Sequence, residues 1–165
     1  MICDYKPDAV IEIGNFHGGS TLALTHILDV LGKGRIIGVD IDQSEISSIV
    51  KSHKRITLIE GDAVKLFEKV NSLISNDEKV LIIEDSSHTY DNTLKILRLY
   101  SQLIKKGGFF IVEDGICYHG LNLGPKPGPY EAVNTFLKEN KKFVSDRSKE
   151  SFLITWNPNG FLKRL

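Results

Sequence analysis

The stretch VIEIGNFHGGSTLAL, residues 10–24, combines an apolar run, a turn with three glycines and the start of a segment with helical spacing. A strand, a glycine-rich turn and a helix in succession present backbone N–H groups and a helix N-terminus to a ligand. The stretch therefore predicts one βα unit of an open α/β sheet, with a ligand site at its turn.

The remainder of the chain repeats this alternation of apolar strands and amphipathic helices. Five strands separated by helices predict a parallel sheet covered on both faces, and two final strands without a helix between them should pair antiparallel. The predicted fold is α/β: a Rossmann-like, doubly wound seven-stranded sheet, mostly parallel with a C-terminal antiparallel hairpin, as in class I methyltransferases. The predicted strands are Ala9–Ile13, Arg35–Val39, Ile56–Ile59, Lys79–Ile83, Phe109–Val112, Phe143–Asp146 and Ser151–Trp156. The predicted helices are Ser20–Leu31, Ser44–Ser52, Val64–Ile74, Tyr90–Lys105 and Tyr130–Asn140, and residues 115–129 are a long irregular stretch.

Composition limits the classes of function. The 165 residues predict a single domain, and 21 basic residues balance 21 acidic ones, so charge gives no reason to expect nucleic acid or an anionic membrane as partner. Cys3 and Cys117 form no disulfide framework and no C-x-x-C metal pair, which favours two free thiols in a reducing cytoplasm. We find no signal pattern and no apolar run near the ~20 residues of a membrane helix, so a cytoplasmic protein is expected.

The glycine turn indicates which cofactor the loop could hold. It has no Gly-Lys-Ser/Thr of a phosphate loop, and Phe16 stands where the dinucleotide motif requires a glycine. The pattern E-x-G-x-x-x-G-x-S, formed by Glu12, Gly14, Gly18 and Ser20, instead resembles the first motif of S-adenosylmethionine (SAM) methyltransferases. Gly14 and Gly18 would let the backbone approach the amino-acid part of SAM. A plain βα turn is the alternative interpretation.

Acidic residues follow the next two strands. The second strand ends GVDID, where Asp40, with Asp42 in second place, could accept hydrogen bonds from both ribose hydroxyls. The third ends EGDA, where Asp62 could accept from the adenine amino group and the Ala63 N–H could meet a ring nitrogen. One such residue is often a helix cap, but acidic residues in register at successive strand ends favour a SAM site.

The fourth and fifth strands end IIEDSSHTYDN and IVEDG. Neighbouring strands lie about 4.8 Å apart, so Asp85, Glu113 and Asp114 should meet at the mouth of the site. Without lysine or arginine in these motifs the carboxylates would repel each other unless a cation lies between them, and oxygen ligands suit Mg²⁺, Mn²⁺ or Ca²⁺. Capping and solvation are the alternative roles. The Pro-Pro motif of amino-methylating nucleic-acid enzymes is absent, which favours a small molecule or sugar as acceptor.

His88 follows Asp85 by three residues, at an offset where catechol-type O-methyltransferases, which share this core, carry a proton-accepting lysine. A histidine with an ordinary pKa near ~6.5 could take the proton of an acceptor hydroxyl. It could equally orient a carboxylate or cap the helix that begins near Tyr90, and these alternatives stay open. His17 and His119 are weaker candidates because both lie in loops of unknown direction.

Segments spread over nearly the whole chain resemble the cephalosporin hydroxylase family. They are GNFHGGS, GKGRIIGVDID, IEGD, DSSHTYDN, RLYSQLIKKGGFFIVED and, most specifically, DRSKESFLITWNPNGFLKRL. Despite its name, that family is similar to SAM-dependent methyltransferases and includes enzymes that methylate rhamnosyl hydroxyls. The resemblance implies that Asp85, Glu113 and Asp114 are Mg²⁺ ligands and that Gly14 and Asp40 hold SAM. It also implies a domain, residues 1–165, that lacks the N-terminal helices that usually help to cover the site.

Together these features predict a Mg²⁺-dependent SAM O-methyltransferase for a small-molecule or carbohydrate acceptor, with Asp85 and His88 as catalytic residues. The metal would bind the acceptor hydroxyl, lower its pKa and direct it at the SAM methyl group. A second copy of the chain is a further candidate partner. The alternative is a SAM-binding accessory protein without turnover. An iron-dependent hydroxylase is disfavoured because the chain has no H-x-D/E motif on a jelly-roll pattern.

Overall fold

The computed structural model of the chain describes residues 1–117, 126–151 and 154–165, and these residues form a seven-stranded sheet. Its order is β3-β2-β1-β4-β5-β7-β6, with β1 to β5 parallel and β7 antiparallel to both β5 and β6. The predicted doubly wound sheet with antiparallel C-terminal strands is confirmed. The strands are β1 (Ala9–Ile13), β2 (Arg35–Asp40), β3 (Ile56–Glu60), β4 (Val80–Glu84), β5 (Phe109–Val112), β6 (Phe143–Ser145) and β7 (Phe161–Arg164).

The helices of the described residues are α1 (Ile2–Tyr5), α2 (Gly19–Leu31), α3 (Ser48–Ser52), α4 (Phe67–Asn71), α5 (Tyr90–Tyr100) and α6 (Pro129–Glu139). The sequence did not predict α1. Helices α3 and α4 begin later than predicted, because the carboxylates of Asp42 and Asp62 each accept the N–H two residues further on and form turns there. None of these helices is long and apolar enough to cross a membrane.

Apolar side chains pack against both faces of the sheet. On one face Leu97 and Tyr100 of α5 and Phe136 of α6 join the larger core cluster. On the other face Leu28 of α2 packs in a smaller cluster, with residues of α1 at its edge. Every residue of β1 is buried, as expected for a central parallel strand covered by helices on both sides.

The predicted seventh strand at Ser151–Trp156 is wrong, because the strand that completes the sheet is β7. Leu162 of β7 is fully buried and pairs with Phe110, whereas Ile154 and Trp156 are exposed. Residues 152 and 153 of that predicted strand lie outside the described residues. Most of the long irregular stretch, residues 118–125, also lies outside them.

The loops after β1 and β4 leave the sheet at the point where the strand order reverses. Gly14, the first residue after β1, has φ +86°, and a Cβ there would lie 2.1 Å from the carbonyl oxygen of Asp85. The close approach that this glycine permits is therefore made by the chain's own backbone. It fixes the glycine turn against the loop that carries Asp85.

We expect Gly14→Ala to destabilise the protein more than Gly32→Ala. Gly32 ends α2 with φ +71° and open space around its Cβ position. Alanine there costs only about 1–2 kcal/mol, the cost of placing a residue with a Cβ in the left-handed backbone region. Gly14→Ala has the same cost and adds a backbone clash of about 1–3 kcal/mol. Urea unfolding of both variants measures the loss in the free energy of unfolding. Equal losses in the two variants would contradict the close contact between Gly14 and the Asp85 backbone.

Candidate functional site

A cleft of about 680 Å³ lies at the carboxyl ends of the parallel strands. This volume is typical of a site for a small molecule or cofactor. Each parallel strand contributes at least one residue to its wall, from the loop that follows the strand or from the strand's end. In the order β1 to β5 these are Gly14, Asp40, Asp62, Asp85 and Asp114.

Three residues of the first motif support the cleft from outside its wall. Glu12 is buried and accepts a hydrogen bond from the Thr21 hydroxyl, which connects β1 to the first turn of α2. Burial raises the pKa of Glu12. Gly18 has φ +82°, and its Cβ position lies 3.0 Å from the Val50 side chain of α3. Ser20 lies on the exposed side of α2. The ligand-binding roles predicted for these residues remain predictions.

Asp40 lies in the cleft wall and also braces the glycine turn. Its Oδ2 accepts the N–H of Phe16 at 2.7 Å, and its Oδ1 accepts the N–H of Asp42 at 3.3 Å. Asp42 is exposed, lies outside the wall and accepts the N–H of Ser44 at 2.8 Å. The geometry therefore favours Asp40 over Asp42 as the acceptor for ribose hydroxyls.

Hydrogen bonds of Asp62 and Tyr100 help to hold the loop after β3. The Asp62 Oδ1 accepts the N–H of Val64 at 2.9 Å, and the buried Tyr100 hydroxyl donates to the carbonyl of Ala63 at 2.7 Å. Asp62 therefore forms a turn and does not cap α4, whose N-cap position is Leu66, and it lies in the cleft wall, as Ala63 does.

Phe16 and Ile41 are cleft residues that the sequence reasoning missed. They are 71% and 72% exposed, and both line the cleft. The Phe16 ring stacks on the His17 ring with 3.7 Å between centroids. Large apolar side chains at an open cleft suit the face of a flat ligand ring. The sequence feature that could have indicated Phe16 is its position as an aromatic residue within the glycine turn.

The ends of β4 and β5, which pair in parallel, carry the predicted carboxylates. Asp85 and Asp114 line the cleft, while Glu113 is half-buried beside it. Burial and the charges of Glu113 and Asp114 raise the pKa of Asp85 to about 7, and burial and Asp114 also raise the pKa of Glu113. No lysine or arginine is among the described residues of the wall, so a divalent cation fits this donor set.

His88 lies between the two loops. Its Nε2 is 3.5 Å from Asp114 Oδ2 and 3.9 Å from Asp85 Oδ1, and its backbone is left-handed with φ +53°. Thr89 holds the N-cap position of α5, so His88 is not the capping residue. The roles of base and of carboxylate-orienting residue both fit these distances. His17 lies outside the wall, and His119 lies outside the described residues.

Two further residues near Asp114 were not predicted. Cys117 belongs with His88 and Asp114 to a set of potential metal ligands whose donor atoms all lie within 4.8 Å of one another. Of the three predicted carboxylates, Asp114 alone belongs to that set. Asn157 Oδ1 accepts the N–H of Asp114 at 2.9 Å and holds this residue at φ +52°. The sequence feature that could have indicated Asn157 is the WNPNG motif, residues 156–160, in the most specific segment of the resemblance.

The raised pKa of Asp85 makes cation binding depend on pH. In the metal-free protein the folded chain holds this proton with a pKa of about 7 against an ordinary 3.8. Protonated Asp85 therefore makes its full contribution to the stability of the fold below its ordinary pKa of 3.8, and this contribution is lost as the pH rises through about 7. A cation bound by Asp85 would have to displace this proton, so we expect Mn²⁺ affinity to strengthen between about pH 5 and pH 7 and then to level off. Mn²⁺ titration followed by electron paramagnetic resonance measures the affinity at each pH. An affinity that does not change with pH would contradict the coupling between cation binding and the Asp85 proton.

The sheet order, the glycine turn after β1 and the cleft at the reversal of strand order define a class I methyltransferase fold. The chain belongs to the Rhamnosyl O-methyltransferase/CmcI family, whose model matches residues 1–165. This result agrees with the resemblance found in the sequence.

Known relatives support the assignment to this family. A rhamnosyl O-methyltransferase of Mycobacterium tuberculosis strain H37Rv is 28% identical over 171 residues, which cover 99% of this chain and 70% of that protein. The structure of CmcI with Mg and SAM has a TM-score of 0.75 at 23% identity and covers 100% of this chain and 68% of that chain. MycE methyltransferase, solved with Mg, S-adenosylhomocysteine (SAH) and mycinamycin VI, has a TM-score of 0.59 at 22% identity over 82% of this chain and 37% of its own. The two structural likenesses establish the fold.

Proposed function

We propose that the protein is a SAM-dependent O-methyltransferase that uses Mg²⁺ and methylates a sugar hydroxyl of the rhamnosyl class. One observation carries the proposal: a single cleft has Asp40 in its wall and, in the same wall, the carboxylates of Asp85 and Asp114, with no lysine or arginine among the described residues of that wall. The first residue suits the ribose of a nucleoside, and the other two suit a hard cation.

The β1, β2 and β3 loops would hold the methyl donor. Asp40 keeps lone pairs available for the two ribose hydroxyls, because the backbone N–H groups it already accepts occupy one position on each oxygen. Phe16 and Ile41 would cover the apolar faces of the adenosine, and Asp62 would accept from its amino group. SAM supplies the methyl group that the reaction transfers.

The β4 and β5 loops would hold the acceptor. Asp85, Glu113 and Asp114 are the proposed ligands of the cation, which when bound lowers the pKa of a coordinated hydroxyl. His88 stands within 3.9 Å of two of these carboxylates, in reach of a hydroxyl held there, and would take its proton at Nε2. The left-handed backbone of His88 and the Asn157 contact to Asp114 fix these groups before any ligand arrives.

The acceptor class comes from the relatives. The curated relatives are rhamnosyl O-methyltransferases, and MycE was solved with Mg, SAH and mycinamycin VI. A vicinal diol of a deoxysugar offers a divalent cation two adjacent oxygens, which suits a carboxylate site with open positions.

Turnover tests the proposal. The protein is incubated with SAM, a panel of rhamnosides and phenols, and either Mg²⁺ or EDTA, and SAH and methylated product are quantified together. We expect product with a rhamnoside in Mg²⁺ and none in EDTA. Full activity in EDTA would remove the metal assignment. Tight SAM binding without product from any acceptor would favour the accessory protein without turnover.

Asp40→Ala should weaken SAM binding by about 1.5–3 kcal/mol, the worth of hydrogen bonds to a charged group. Calorimetric titration with SAM measures the loss. Asp42→Ala is the matched control, because Asp42 lies two residues away and outside the cleft wall. Wild-type affinity in Asp40→Ala, or an equal loss in the control, would remove the ribose role from Asp40.

A further inference from the structure

Two pairs of potential metal ligands, each separated by two residues, follow the neighbouring strands β4 and β5. The first pair is Asp85 and His88, and the second is Asp114 and Cys117. Pairs of ligands with two residues between them are the usual building unit of tetrahedral zinc sites. Neither pair is a C-x-x-C motif, so this arrangement emerges only when the two loops are brought together.

The second pair is set by a closed turn. The N–H of Cys117 donates to the carbonyl of Asp114 at 2.8 Å, which places both residues at the ends of one turn. The N–H of Ile116 donates to the carbonyl of Trp156 at 3.2 Å, and the buried Gly115 has its Cβ position 3.1 Å from Pro158. The turn is therefore supported from behind by the loop that also holds Asp114.

Three of the four residues in these pairs bring their donor atoms together, and Asp85 approaches one of them. A nitrogen of His88, a carboxylate oxygen of Asp114 and the Cys117 sulfur lie within 4.8 Å of one another, and Asp85 Oδ1 is 3.9 Å from the same histidine. We propose that His88, Asp114 and Cys117 form a mixed nitrogen, oxygen and sulfur site for a thiophilic divalent metal of the Zn²⁺ class. Imidazole and thiolate ligands favour Zn²⁺ over Mg²⁺, which selects oxygen ligands in an octahedral arrangement.

Occupation of this site has a consequence for the reaction, and that step rests on the proposed function. Zn²⁺ takes Asp114 and His88, which the proposed reaction uses as cation ligand and base. The Cys117 thiol loses its proton to solvent when the metal binds. Zn²⁺ therefore competes with Mg²⁺ and inhibits methyl transfer, while SAM binding at the β1 and β2 loops continues.

Co²⁺ is the probe for the site, because a thiolate ligand gives it an intense near-ultraviolet charge-transfer absorption. The wild-type protein is titrated with Co²⁺, beside Cys117→Ser and the matched control Cys3→Ser, in which the exposed thiol of α1 is removed. We expect the absorption in wild type and Cys3→Ser, its loss in Cys117→Ser, and its removal by one equivalent of Zn²⁺. Its absence in wild type, or its presence in Cys117→Ser, would overturn the proposal.

A second measurement needs no variant. X-ray absorption at the zinc edge of wild-type protein loaded with one equivalent of Zn²⁺ should reveal a sulfur neighbour at about 2.3 Å. A shell of nitrogen and oxygen alone, or no retained zinc, would overturn the site. Neither measurement involves SAM or Mg²⁺, so failure of the zinc site and failure of the proposed methyltransferase are separate results.

Discussion

Asp114→Asn should abolish metal-dependent methyl transfer and leave SAM affinity close to that of wild type. Asparagine keeps the shape of the side chain and tolerates the left-handed backbone at φ +52°, so the hydrogen bond from the residue 114 N–H to Asn157 should persist. What disappears is one negative charge in the cleft wall. A cation that activates a hydroxyl contributes several kcal/mol, so turnover should fall more than about a hundredfold.

The assay for this variant separates three quantities: Mn²⁺ binding, SAM binding and turnover on the best acceptor. Asp91→Asn is the matched control, since Asp91 lies exposed in the first turn of α5, close in sequence to Asp85. The control should match wild type in all three quantities. Metal-dependent turnover at the wild-type rate in Asp114→Asn would show that the cation is held by other residues.

His88→Gln should lower turnover by about 10²–10⁴ and keep metal and SAM affinity, if His88 takes the proton of the acceptor. Glutamine retains a hydrogen-bonding side chain of similar reach but cannot accept a proton. The pH–rate profile should also lose its acidic limb. The profile must be recorded at saturating Mg²⁺, so that displacement of the Asp85 proton by the cation adds nothing to that limb.

The His88 experiment also decides between the two roles that the distances permit. His26→Gln, on the exposed side of α2, is the matched control and should keep wild-type turnover. If His88→Gln instead loses metal affinity and retains the acidic limb, His88 orients the carboxylates and another group accepts the proton.

Much of the fold and of the cleft could be predicted because both depend on local patterns. Continuous apolar runs mark β1 and β4, and parallel strands end at one edge of a sheet. That rule alone predicts that Asp40, Asp62 and Asp85 face one cleft. The error at β7 had a local cause, since residues 152–156 are at least as rich in apolar and β-branched residues as Phe161–Arg164, and pairing with β5 identifies the strand.

The missed residues depend on contacts between distant parts of the chain. Asn157 reaches Asp114 across 43 positions of sequence. Cys117 became a candidate ligand only when the turn after β5 brought it beside His88. Gly14 was interpreted through a ligand, but the atom nearest its Cβ position belongs to Asp85. Such contacts are fixed by packing rather than by periodicity, so the periodic pattern contains no signal for them, and for Asn157 the available signal was the WNPNG motif.

The proposed methyl transfer requires that the cleft at the carboxyl ends of β1 to β5 binds SAM. Calorimetric titration of the wild-type protein with SAM and with SAH, in the presence of Mg²⁺, measures this binding. We expect each compound to bind saturably, at one molecule per chain, and SAM and SAH to compete for the same site. No detectable binding of either compound to the folded protein would contradict the proposal.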